Sequence, residues 1–349
     1  MSSKAHSEGH TSGGGSMGEH TNPSVISKAS SNQKQSIFGS DSSITRALNL
    51  HGYHIGAKIG KGSFSSVRLA KYTSKNQNVY LLACKVIDVR KASEEFVKKF
   101  FPRELSVLMK IHHPHIIRVH SILKRERMVF IFMDYAERGD LLKYINKNGV
   151  MKESQAKRWF AQLVSALRYL HSIDIAHRDL KCENILISKK DNVLLADFGF
   201  ARACGEENGN FSSTYCGSAA YAAPEVILGK PYNPMHADVW SLGIILFIML
   251  SATMPFDDRN LKKLVEDHRD RNYGFEESVH KQLSLAAKRM VYELLNPDPS
   301  ERVDLKQLYE LGWIDESSAK EKQGRLGELC GKKSKSDRNE PKAKFGCHC

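Results

Sequence analysis

The chain has 349 residues, 41% of them apolar, and a formal net charge of +13, enough material for a two-lobed globular domain with flexible ends. The basic excess comes without zinc-finger spacing or aromatic-studded basic stretches, which argues against a dedicated nucleic-acid binder. Seven scattered cysteines and no secretory apolar segment at the start fit reduced thiols in a cytoplasmic protein. The longest apolar run, "VWSLGIILFIML" at 239–250, is well short of the roughly 20 residues of a membrane span and reads as a buried core helix.

Residues 1–52 are rich in Ser, Gly, His, Asn and Gln and read as a disordered arm, with too little apolar surface to offset the entropy of ordering. From Tyr53, "YHIGAKIG" and "SSVRLAKY" form two strands around the glycine-containing loop "GKGSFSSV" (60–67), and "NVYLLACKVIDV" forms a third. "SEEFVKKFFPRELSVLMKI" has helical spacing, with Pro102 kinking or restarting the helix just before Glu104. "IIRVHSILK" and "MVFIFMDY" complete a five-stranded antiparallel sheet, so a small lobe spans 53–136 and its boundary falls near Asp134 to Glu137. A mostly helical lobe follows over 137–313, and "ESQAKRWFAQLVSALRYLHSI" turns Trp159, Leu163, Leu167 and Leu170 toward its core. Residues 314–349 form a flexible basic tail ending in Cys-His-Cys.

The decisive stretch is "HRDLKCENILISKKDNVLLADFG", which sets out Asp179, Asn184 and Asp197, three side chains able to handle protons or metal. Upstream stand Lys85 in "LLACKVI" and Glu104, and downstream "AAPE" ends at Glu225. In this order the motifs resemble the eukaryotic protein kinase family from about Tyr53 to Trp313. The resemblance implies an α+β, two-lobed protein kinase fold: a small antiparallel β-sheet lobe with one main helix, and a larger, mostly helical lobe.

It also implies ATP-dependent transfer of a phosphoryl group to protein Ser or Thr, with Mg2+ or Mn2+. Such a transition state spreads charge over the phosphoryl oxygens and is stabilised by positioning and by cations. Lys85 would hold the α- and β-phosphates, its stem fixed by Glu104. Asp197 and Asn184 would be the metal ligands, Asp179 would orient the acceptor hydroxyl and take its proton, and Lys181 would contact the γ-phosphate. The implied ATP site comprises Ile59, Gly60, Lys61, Gly62, Ser63, Phe64, Ser65, Ser66 and Val67 of the loop, with Ala83, Lys85, Glu104, Met133, Asp134, Ala136, Asp140 and Leu186. Ser65 stands where a third glycine is usual; because backbone N–H groups bind phosphate, it removes no donor and only stiffens the loop.

Arg178 would face the activation segment, where a phosphate could pair with it. The candidate phosphosite is Thr214 in "NFSSTYCGSAAYAAPE", with Ser212 and Ser213 as rivals. Glu225 and Arg302 resemble the family's buried ion pair, and Glu183 with Asp140 would favour substrates with upstream basic residues. Within the family, "HRDLKCENILI", "CGSAAYAAPEV", "DFGFARAC" and "FVKKFFPRELSVLMKIHHPHII" resemble the testis-specific serine/threonine kinases of the calcium/calmodulin-dependent-kinase-like group. That implies a role in sperm differentiation; the activating phosphate would come from an upstream kinase or from autophosphorylation. A pseudokinase or scaffold binding partners without phosphotransfer is the alternative. Membrane association would arise only through lipidation of Cys347 and Cys349, against which stands the reading of two unmodified thiols.

Overall fold

The structure, a computed structural model, describes residues 43–61, 65–91, 108–109, 111–199, 201–203, 212 and 218–315. The arm reading is corrected at its end, because Ser43–Leu50 forms helix α1. Ile44 and Leu48, one turn apart, are buried with Tyr53, Cys84, Phe130 and Phe132. A polar composition average hides two apolar residues at helical spacing, and these two find an apolar sheet face to cover.

That face belongs to an antiparallel sheet of β1 (Tyr53–Lys61), β2 (Ser65–Thr73), β3 (Val79–Asp88), β4 (Val119–Arg125) and β5 (Met128–Asp134), in spatial order β1-β2-β3-β5-β4. Strand alternation divides β3 between the two faces. Leu82, Cys84 and Val86 join the cluster under α1. Ala83 and Lys85 take the other face, in register with Met133 and Ile131 of β5, while Val67 of β2 pairs with Lys85. The expected helix that contains Glu104, and the loop residues Gly62, Ser63 and Phe64, lie outside the described residues. Ser65 starts β2 and pairs with Ile87.

Beyond β5 the chain becomes helical: α2 (Leu141–Asn148), α3 (Glu153–Ser172), the short hairpin β7 (Ile185–Ile187) and β8 (Val193–Leu195), α4 (Pro224–Ile227), α5 (Pro234–Ser251), α6 (Leu261–Arg269), α7 (Glu277–Gln282), α8 (Leu285–Leu294) and α9 (Gln307–Glu310). A two-residue strand, β6 (Ile175–Ala176), pairs antiparallel with β9 (Arg202–Ala203). The long apolar run is α5, apolar on all sides and buried in the large-lobe core. Its length and composition would allow a membrane crossing, but 83% of it is covered by the protein itself. At Gly243 a side chain would meet Leu294 and Leu295 at 2.8 Å, so glycine sets how closely α5 and α8 approach. Trp159, Leu163, Leu167 and Leu170 of α3 are buried, as their spacing predicts. Glu153 at the start of α3 accepts hydrogen bonds from Ser284 and from the Trp313 indole, which ties the end of the lobe to its first long helix.

Candidate active site

The segment from Ile175 to Asn184 leaves α3 as the two-residue strand β6 and must then turn sharply. Arg178 takes a left-handed backbone conformation, φ 67°, which a side chain of its kind adopts only when held there. The holding group is Asp238 of α5: its carboxylate accepts the backbone N–H groups of His177 and Arg178, each at 2.8 Å, and His171 at 3.1 Å. Asp238 is 1% exposed and is the one acid in a mostly apolar helix. Sequence reasoning missed it, although one acid at the head of the longest apolar run signals a buried carboxylate that satisfies backbone donors. His177 is fully buried and its Nε2 lies 3.1 Å from the Ala196 carbonyl. Burial pushes its pKa down against the pull of Asp238, so the ring stays neutral.

Two of the expected residues, Lys181 and Asn184, converge at Asp179, itself buried. Lys181 Nζ donates to both carboxylate oxygens at 2.8 and 3.0 Å. Asn184 Nδ2 donates to the Asp179 carbonyl at 2.8 Å and to its carboxylate at 2.9 Å. The carboxylate is thereby aimed by a cation and an amide. With its amide nitrogen committed in this way, the Asn184 side-chain oxygen is the atom left for a hard cation to take.

The β7–β8 hairpin ties the stretch before Asp197 to the Asn184 backbone. Ile185 pairs with Leu195, and Ala196 N–H donates to the Asn184 carbonyl at 2.8 Å. Asp197 is also left-handed, φ 61°. Its Oδ1 accepts Lys85 Nζ at 2.6 Å, a contact between small-lobe strand and large-lobe hairpin. Burial works to raise the Asp197 carboxyl, but the Lys85 charge and hydrogen bond and the Gly199 N–H outweigh it, and the group ionises below the usual carboxylate range. An ionised carboxylate and an amide oxygen are the kinds of donor that suit Mg2+.

At the lobe junction Met133 packs against the clusters of both lobes. The Asp134 N–H is engaged by the Arg118 carbonyl at 3.0 Å, and its side chain meets His120 Nε2 at 2.5 Å. Asp140 caps α2 by accepting the Lys143 N–H at 2.8 Å, and its backbone bridges to Leu186. Glu183 is exposed. Glu225 and Arg302 form the expected buried pair, at 2.8 and 3.0 Å, with Arg302 also donating to the His236 and Asn296 carbonyls. Ser212 is 2% exposed and doubly hydrogen-bonded through its backbone to Tyr232. Thr214, Ser213 and Glu104 fall outside the described residues.

Known proteins match this arrangement. The profile of the protein kinase domain matches residues 53–314. The chain is 40% identical over 271 residues to testis-specific serine/threonine-protein kinase 1 of Mus musculus, covering 76% of this chain and 73% of that protein. It is 37% identical over 265 residues to testis-specific serine/threonine-protein kinase 3 of the same organism, covering 76% and 96%. It is also 34% identical over 266 residues to CBL-interacting serine/threonine-protein kinase 7 of Arabidopsis thaliana, covering 76% and 60%.

Proposed function

Because the chain belongs to the protein kinase family, and is a protein serine/threonine kinase of α+β two-lobed fold resembling the testis-specific kinases, we propose that it transfers the γ-phosphate of ATP through Asp179, Lys181, Lys85, Asn184 and Asp197. The observation that carries this reading is the convergence of Lys181 and Asn184 on the Asp179 carboxylate. Asp179 orients the acceptor hydroxyl and takes its proton, and Lys181, held beside it, offers positive charge to the transferring group. Lys85 positions the phosphates from the face of β3 that carries Ala83, with Val67 and Met133 walling the adenine. Asp197 and the Asn184 oxygen would hold Mg2+, which when bound neutralises phosphate charge. Ile59, Gly60, Lys61, Ser65 and Ser66 cover the nucleotide, Leu186 lies under it, and Asp134, Ala136 and Asp140 contact adenine and ribose.

The decisive assay compares wild type with Lys85→Met for transfer of labelled phosphate from ATP to a peptide panel. Transfer by wild type and its loss in the variant support the reading; equal signals from the two, or none from wild type, overturn it in favour of a binding scaffold.

Regulation follows from the same framework. Thr214 is the activating phosphosite, its phosphate pairing with Arg178; the burial of Ser212 and its backbone bridge to Tyr232 support leaving that rival aside. Thr214→Ala should reduce turnover strongly with the fold intact. Exposed Glu183 supports a preference for Lys or Arg upstream of the acceptor, and a peptide array without such a preference would refute it. The relatives' names support a role in sperm differentiation, which loss of the gene product in developing germ cells would test.

A further inference from the structure

β4 and β5 run in step from the Arg125–Met128 pair to the Ser121–Phe132 pair and then fall out of step. The next pair is Val119 with Met133, which leaves His120 as an extra residue, a bulge in β4. A bulge re-aims a side chain, and bulges gather beside functional sites. This one stands opposite the step from Phe132 to Met133, where β5 approaches the lobe junction. Its neighbour Ser121 is pinned: the Ser121 and Tyr53 hydroxyls lie 2.7 Å apart, and the Tyr53 ring stacks on that of Phe132 with centroids 3.8 Å apart. The bulge is thereby held in its register on β5.

From that position His120 reaches Asp134, the last residue of β5. Its Nε2 lies 2.5 Å from Oδ1, and because a carboxylate only accepts, Nε2 is the donor. The Arg118 carbonyl takes the Asp134 N–H at 3.0 Å. Main chain and side chain of Asp134 are therefore both held by the stretch Arg118 to His120. The lead-in to that stretch is fixed in turn on the β7–β8 hairpin: Ile117 N–H donates to the Leu195 carbonyl and Leu195 N–H to the His115 carbonyl, each at 2.9 Å. Leu195 is two residues from Asp197, so one short run of chain spans from the hairpin that carries Asp197 to the strand end where the hinge departs. Strand alternation turns the Asp134 side chain to the face of Phe132 and Cys84, opposite that of Ala83 and Lys85. Its carboxylate is aimed away from the nucleotide, and its part in the adenine contact falls to the main chain.

We propose that His120 is a positioning residue for the nucleotide: by holding Asp134 it sets the hinge main chain against adenine, and so governs ATP binding without acting on the acceptor peptide. The assignment rests on the kinase reading above and adds to it a residue that stands outside the nucleotide pocket.

The test uses the full-length protein with His120→Ala, His120→Gln, Asp134→Ala and the double variant His120→Ala/Asp134→Ala. It reads steady-state kinetics with ATP and peptide, and calorimetric binding of adenosine, which has no phosphate and reports on the adenine side of the site alone. Both side chains of the pair are partly exposed, and pairs so placed carry factors of about two to five in a binding constant. His120→Ala should raise the adenosine Kd and the ATP KM together by about two- to fivefold, with the loss confined to these and absent from kcat and peptide KM. His120→Gln, which keeps an N–H donor at similar reach, should recover most of the loss. The double variant should bind adenosine no more weakly than Asp134→Ala, because both single changes remove the same contact. An unchanged adenosine Kd in His120→Ala would overturn the proposal. So would a change in kcat or peptide KM as large as that in ATP KM, which is what a general loosening of the fold gives, or His120→Gln behaving as His120→Ala. A wild-type protein that binds adenosine but transfers no phosphate would fail the kinase reading, and the adenosine series would still decide the role of His120; a wild-type protein that binds no adenosine would overturn both.

Discussion

At the scale of single residues, Asp179 is the centre on which charge, hydrogen bonding and backbone geometry meet. Asp179→Asn keeps the size of the side chain and its contact with Asn184 but removes the base, so kcat should fall by about 100-fold or more with the melting temperature little changed. Steady-state peptide kinetics beside thermal unfolding checks this. His268 offers a pH prediction. It is 1% exposed, packed between Trp240 and Phe256, and among the described residues neither ring nitrogen has a hydrogen-bond partner. Burial lowers its pKa to about 4, with Asp267 opposing and Arg302 adding to the depression. The unfolded chain then binds the proton more readily, so this contribution is whole above the ordinary histidine value near 6.5 and is lost as pH falls toward 4. His113, also lowered to about 4, acts in the same direction. Unfolding followed between pH 7 and 4 should show the loss, with a slope of up to about 1.4 kcal/mol per pH unit from His268, and His268→Phe should flatten it.

At the scale of elements, α1 is an addition to the sheet outside the matched domain. Ile44 and Leu48 close the apolar face formed by Cys84, Phe130 and Phe132, and Ser43 Oγ reaches Glu126 at the β4–β5 turn, 3.2 Å away. Replacing both apolar residues by alanine should cost about 2–5 kcal/mol for each side chain at most, read as a shift in the urea midpoint, and a chain starting at Tyr53 should be less stable than one starting at Ser43. The strands, α3 and α5 were legible because alternation and the three-and-four spacing are local patterns. The helix α1 was not, because its two informative residues sit within polar sequence and acquire meaning only against a face made by strands far along the chain.

At the scale of the whole molecule, the lobes meet through Lys85 and Asp197, and the large lobe is tied internally by Glu225 and Arg302. Arg302 is almost fully buried, so Glu225→Ala leaves a guanidinium without its anion and should cost about 3–5 kcal/mol, measured by chemical denaturation. Saturating Mg-ATP should raise the melting temperature, by the equivalent of about 2.7 kcal/mol at a hundredfold excess over Kd, and Asp197→Ala should abolish that rise.

The amino-acid sequence by itself determined the chemical vocabulary: which acids, lysines and amide stand at Asp179, Asn184, Asp197, Lys85 and Lys181, in an order whose spacing is set by short loops and one hairpin. The tertiary structure decided which atoms those groups address. Asp238 holds the loop, Asn184 donates its nitrogen to Asp179, and the Asp134 N–H is already taken by the Arg118 carbonyl. The Asp238 contacts join segments about sixty residues apart, and all of these contacts depend on burial and direction, which no local pattern encodes.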